Sequence, residues 1–306
     1  MKKTILIAAA LFAVLAWTGC RKIDEEIVEP EVVPEQPAGS YTLTIEATKG
    51  ADTKALELSG STLNAYWVTG EKVAVYADGA YKGLLTATVN PSDNTKATLS
   101  GTLDNADGIV ANAVLTLLFP RADWDYTGQD GSAPSASGTL ATKYDYALAD
   151  VTVSAVDGGA KTITTDKANF ANQQSIYRFK FSSSGTPLSV KQFTVSSSAN
   201  KLVQSRSYDG SSWTSNFGSV SVVSDAATSD WLYMSLRNEL DGIVIDYDTY
   251  TFVVKGGDAA TYTGTKNIPF SAVSAAGHAI TVTDVAVSKV SLLAKTGAIT
   301  LKGDIW

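Results

Sequence analysis

With one cysteine, Cys20, and one histidine, His278, in 306 residues, the chain lacks most of the side chains that do nucleophilic and acid–base work near neutral pH. A lone cysteine cannot close an intramolecular disulfide, and one Cys with one His cannot build a thiolate–imidazole zinc site or a Cys–His pair. A Ser–His–Asp triad would have to use His278, which stands in Ala-Ala-Gly-His-Ala-Ile, the setting of a turn or strand-edge histidine. The sequence has no Gly-x-Ser-x-Gly elbow and no phosphate-cradling Gly-x-x-x-x-Gly-Lys loop. No cofactor or metal is implied, and most hydrolase classes lose support. Basic charge is scarce as well, with 24 Lys and Arg against 31 Asp and Glu, a net charge of −7. Phosphate binding needs clustered cations, so nucleic acid is not an expected partner. Prolines number only eight, and no amphipathic helix of useful length is legible.

Long hydrophobic runs are confined to the start. Lys2 and Lys3 precede an uncharged run over residues 4–18, which leads through Gly19 to Cys20. That is the layout of a secretory signal, and the run falls short of the roughly twenty residues a membrane span requires. Thr18 and Gly19 leading straight into a cysteine resemble the bacterial lipoprotein box, although Trp17 stands where leucine is usual. Cys20 is therefore the expected lipidation site, and two or three acyl chains suffice for stable anchoring. Cleavage before Cys20 removes two lysines and leaves 22 basic against 31 acidic side chains, a net of −9. Residues 20–39 are rich in Glu, Pro and Val and read as an extended acidic tether. The triplet Asp24-Glu25-Glu26 resembles the surface-export signal of Bacteroidetes lipoproteins.

Beyond residue 40 the chain reads as all-β. Tyr41, Leu43, Ile45 and Ala47 alternate with Thr42, Thr44, Glu46 and Thr48, which predicts a strand with one buried face. Further strands are expected over residues 72–76, 84–89, 97–103, 113–119, 151–156, 176–181, 189–196, 220–223, 231–236, 250–255 and 279–283. Residues 77–83, with Asp78-Gly79, read as a hairpin loop. Short strands with Gly, Asn and Asp turns indicate sandwiches, and the length favours two domains over one. The polar stretch over residues 168–175 is the expected boundary, which gives a signal peptide over 1–19, a tether over 20–39 and β-sandwiches over 40–172 and 173–306.

Several features imitate sites. Asp123 and Asp125 flank Trp124, and Asp246 and Asp248 flank Tyr247, as acid pairs beside sugar-stacking rings would. Solvated strand-edge charges are the plainer account. The Asp104–Gly108 and Asp123–Gly131 stretches lack the spacing of a calcium loop and read as turns. Trp67 and Trp231 stand in apolar runs and read as core. Trp124 and Trp213 lie among Asp, Tyr, Ser and Gly, where exposure would make them a glycan platform.

Six stretches, in order along the chain, resemble the fimbrillin-like lipoproteins of Bacteroidales, the subunits of type V pili. They are Asp52-Thr53-Lys54-Ala55-Leu56; Asn64-Ala65-Tyr66-Trp67-Val68-Thr69-Gly70-Glu71-Lys72-Val73-Ala74-Val75-Tyr76; Phe119-Pro120; Tyr126-Thr127-Gly128-Gln129-Asp130-Gly131; Lys143-Tyr144-Asp145-Tyr146-Ala147; and Ile176-Tyr177-Arg178-Phe179-Lys180-Phe181. The resemblance implies two tandem transthyretin-like sandwiches, outer-membrane delivery as a lipoprotein and assembly with other fimbrial subunits at the cell surface, where a host protein or glycan is the expected ligand. It also implies that a trypsin-like protease cuts after the first strand and that a strand from a neighbour refills the groove. Tyr41, Leu43, Ile45 and Ala47 then belong to the strand that leaves, and Lys49 and Lys54 are the candidate cut sites, since no arginine lies between Arg21 and Arg121. Ile299, Leu301, Ile305 and Trp306 mark the C-terminal tail as a candidate donor, with a last strand of its own sheet as the competing reading. A non-polymerising lipoprotein that binds glycans is the alternative for the whole chain.

Overall fold

The first-half sequence produces strands through strict alternation and tight turns. The structure, a computed structural model, describes residues 39–49, 57–59, 62–64, 66–135, 137–240, 243–273 and 279–290. Cys20, Lys54, His278 and the tail with Ile299, Leu301, Ile305 and Trp306 lie outside the described residues. The described residues all fall in one compact unit. Its first strands are β1 (Tyr41–Lys49), β2 (Glu57–Ser59), β3 (Thr62–Asn64), β4 (Lys72–Ala77), β5 (Ala80–Asn90), β6 (Asp93–Leu103), β7 (Val114–Phe119) and β8 (Asp123–Asp125). After the single-turn α1 (Thr139–Lys143) come β9 (Ala147–Asp157), β10 (Thr162–Thr165) and β11 (Ala168–Asn172).

The expected loop over residues 77–83 shrinks to the two-residue turn Asp78-Gly79, whose φ values of 50° and 74° suit the right-handed twist of the flanking strands. β5 and β4 therefore run longer than the sequence pattern indicated. Strands β6, β5, β4, β7 and β9 are successive neighbours. β1 pairs with β6 on one edge and, through β10 and β11 in tandem, reaches β9 on the other. The first half is thus a closed, barrel-like sheet rather than an open sandwich. Inside it lie Leu43, Ile45, Trp67, Val73, Leu85, Leu99, Leu117, Val153 and Phe170.

The second half continues with β12 (Ser175–Ser183), β13 (Thr186–Pro187), β14 (Val190–Ser197), β15 (Val203–Tyr208), β16 (Trp213–Phe217), β17 (Val220–Thr228), β18 (Leu232–Leu236), β19 (Tyr247–Gly256) and β20 (Thr261–Pro269). The single-turn α2 (Phe270–Val273), β21 (Ala279–Ala286) and β22 (Ser288–Lys289) complete it. β12 lies between β18 and a parallel β21 in one sheet, and β17-β14-β19-β20-β22 form the facing sheet. The rings of Phe179, Phe181, Phe193 and Phe252 interlock between them, with centroids 5.0–5.6 Å apart in four of the pairs.

A third sheet, β16-β15-β8, joins the halves, because β8 of the first pairs with β15 of the second. Under it Trp124, Tyr126, Tyr146 and Val203 pack on Ala74 and Leu118, which face outward from the barrel. Residues 168–172, which read as linker, form β11 and turn Ala168 and Phe170 into the barrel core. The change of core falls between Phe170 and Tyr177.

Candidate functional site

β1 occupies a slot with two paired edges. Its register with β6 runs from Tyr41 opposite Leu103 to Thr48 opposite Lys96. On the other side Thr42 and Leu43 pair with β10, and Ala47 to Lys49 with β11. Tyr41, Leu43, Ile45 and Ala47 are all buried, at most 6 % exposed, as the alternation predicts. Burying Leu43 and Ile45 stabilises the slot by about 1.5–3 kcal/mol each. The opposite face is wet, and the Glu46–Lys167 ion pair there is solvent-exposed and contributes little.

Alternation does not stop at Ala47. Lys49 takes the next inward position, with its side chain 1 % exposed. Its ammonium donates to Asp145 Oδ2 at 3.1 Å, to Glu71 Oε2 at 3.4 Å and to the Tyr66 carbonyl at 3.4 Å. It also stands 3.8 Å from the centre of the Phe119 ring and 4.5 Å from that of Trp67. The Val68 amide holds Glu71 in place through a 2.9 Å bond to the same Oε2. Burial pushes the Glu71 carboxyl above its ordinary value, and the Lys49 charge opposes that shift. A cavity of about 450 Å³, lined by Tyr66, Val68, Phe119, Pro120 and Ala141 together with both carboxylates, opens at this end.

Two carboxylates around one cavity could imitate a glycosidase pair. Both, however, pair with one ammonium, that of Lys49, which is their counter-charge. The arrangement binds a cation. Lys49, one of the two candidate cut sites, has its side chain enclosed while β1 is in place.

No family model matches the chain, and no curated protein does. Its structural neighbours include bacterial adhesion and pilus proteins. A candidate cell adhesion protein of Bacteroides uniformis ATCC 8492 is 14 % identical, with 81 % of this chain and 97 % of the neighbour covered, at a TM-score of 0.42. A C-terminally truncated fimbrial tip protein of Porphyromonas gingivalis is 10 % identical, with 74 % and 81 % covered, at 0.34. A shaft pilin of Lactobacillus rhamnosus GG is 14 % identical, with 83 % and 99 % covered, at 0.33. These likenesses are remote, and the functional reading rests on β1 and its slot.

The remaining sequence candidates are accounted for by packing. Trp124 is 1 % exposed; it stacks on Tyr146 at 5.4 Å, lies 4.2 Å from Trp213 and donates its indole N–H to the Arg121 carbonyl. Trp213 is half-buried beneath the Arg206 guanidinium at 4.1 Å. The expected glycan platform is therefore filled by the protein itself, because β8 and β15 pair and bring the two rings together. Trp67 is core, whereas Trp231 is only half-buried, with Arg178 and Lys180 over its face. Asp123 and Asp125 are exposed. Asp248 is instead fully buried, and accepts from the Ser197 and Ser198 hydroxyls and the Ala199 amide. Among the described residues no three His, Cys, Asp or Glu side chains gather to hold a metal.

The sequence reading missed Glu71 and Asp145, which lie 22 and 96 residues from Lys49 along the chain. The available signal was phase: Lys49 continues the inward row of Tyr41, Leu43, Ile45 and Ala47.

Proposed function

We propose that this chain is a non-enzymatic cell-surface subunit of a fimbrium, delivered to the outer membrane as a lipoprotein through Cys20 and assembled by strand replacement with other subunits. The observation that carries this reading is β1. It is a strand of a closed sheet, paired on both edges, and Lys54 follows its last residue, Lys49, by five positions. A cut at Lys54 would free a strand held only by non-covalent terms. Its departure would uncover an apolar trench and two rows of unpaired backbone groups, the surface that strand addition fills. Of the two candidates, Lys54 is the proposed cut, a choice supported by the enclosure of the Lys49 side chain.

On this reading the two cores are two tandem domains dividing near residue 172, of the transthyretin-like type that the resemblance implies. The tail with Ile299, Leu301, Ile305 and Trp306 is the proposed donor, and subunits add head to tail without closing. A host protein or glycan is the expected ligand of the assembled surface. Immunogold labelling of cells before and after mild trypsin treatment tests the proposal. Labelled fibres that lengthen after treatment support it, and diffuse membrane label under both conditions contradicts it.

A further inference from the structure

The slot ends in a demand for positive charge. Asp145 is 5 % exposed, and its Oδ1 has no hydrogen-bond partner among the described residues, so a second acceptor stands beside the one that holds Lys49. A strand that filled the slot without a cation would leave Asp145 buried without the counter-charge that Lys49 supplies. One inward seat away, Ala47 is 1 % exposed within a filled core, so a larger side chain there would overpack. Ile45 and Leu43 fill the next two seats. Read from the end of β1 backwards, the inward row is cation, small, Ile, Leu.

We propose that the slot selects this four-seat pattern and that the tail of a second copy meets it by running in the opposite direction to β1, with Lys295 in the cation seat. The proposal rests on the strand-replacement reading above. Every second residue from Lys295 gives Lys295, Gly297, Ile299 and Leu301, the same order of cation, small, Ile and Leu. Side chains alternate between faces whichever way a strand runs, so the inward row survives the reversal. The inserted tail lies parallel to β6 and antiparallel to β10 and β11, and both pairings satisfy the backbone. Running in the same direction as β1, the tail offers no equivalent register. Lys302 in the cation seat would place Thr300, Ala298 and Thr296 where Ala47, Ile45 and Leu43 sit. Lys295 in that seat would draw Ser291 and Lys289 into the core row.

The test compares full chains carrying Lys295→Met, Lys295→Arg or Lys302→Met, expressed at the cell surface. Heat-stable ladders on denaturing gels report assembly, and monomer melting serves as the folding control. Lys295→Met is expected to cut the ladder at least about a hundredfold with melting unchanged, because the buried carboxylate loses its partner. Lys295→Arg keeps it, since a guanidinium engages both Asp145 oxygens, and Lys302→Met keeps it as well. Direction is read from a chain carrying Ile299→Cys and Leu99→Cys, because Ile299 takes the seat of Ile45, which faces Leu99. With diamide added as the two-electron oxidant, a disulfide between copies is expected, and a ladder that lacks it under those conditions overturns the reversed insertion. A ladder indifferent to Lys295→Met, or lost equally in Lys302→Met, overturns the cation seat alone. Absence of any ladder from the unsubstituted chain overturns strand replacement, and this proposal with it.

Discussion

Lys49 is held inside a barrel because three oxygens and two aromatic faces replace the water it has lost. Lys49→Met would remove the cation and leave Asp145 and Glu71 facing each other across apolar surface. Breaking a buried pair from one side costs about 3–5 kcal/mol, and chemical denaturation of the monomer should register a loss of that size. Lys49→Arg should cost far less, because the charge is kept. Glu71 supplies a pH signature. Burial raises its folded value above the unfolded one, so the folded chain takes up its proton more readily. That contribution to stability is complete below the unfolded value and is lost as pH rises through the folded value. Denaturation at stepped pH should therefore show the unsubstituted chain gaining stability relative to Glu71→Gln on acidification from neutrality towards the ordinary carboxylate range. A constant difference between the two would contradict the assigned burial. None of this was visible at Lys49 alone, because a lysine at a strand end ordinarily reads as solvated and its two acid partners lie 22 and 96 residues away along the chain.

Elements divide into those whose pattern announces them and those that exist through their neighbours. β1 and β12 were legible because apolar residues recur in phase with a buried face, and β4 because Val73, Ala74 and Val75 form a short apolar run that is buried on both faces. β20, with Thr261, Thr263, Thr265 and Asn267 on its wetter face and Gly264 between, carries too few apolar residues to read as a strand, yet it pairs along its whole length with β19. β11 reads as polar linker because only Ala168 and Phe170 are apolar on its inward face, and pairing with β1 and β9 makes it a strand. The proposed role of β1 gives an element-scale prediction. Leu43→Ala should destabilise the precursor by about 2–5 kcal/mol. Fibres already assembled should melt as those of the unsubstituted chain, since β1 has left them. Equal destabilisation of both would mean that β1 stays in its slot.

Across the whole molecule, two cores are tied by the β16-β15-β8 sheet and by the ring stack of Trp124, Trp213 and Tyr146. Trp124→Ala should cost about 3–5 kcal/mol. Calorimetry should then resolve two transitions where the unsubstituted chain gives one, and a single shifted transition would count against that coupling. The all-β class was legible in composition, and β12 in the alternating run from Ile176 to Phe181. Closure of the first sheet was not, because it depends on β1 meeting β6 about fifty residues later and β10 more than a hundred later, and no local pattern encodes such pairings. Departure of β1 is the central claim, and the N-terminus of assembled protein tests it most directly. Mass spectrometry of subunits extracted from surface fibres should find the chain beginning at Ala55, with Cys20, its lipid and residues 41–49 gone. Fibres whose subunits still begin at acylated Cys20 would contradict it.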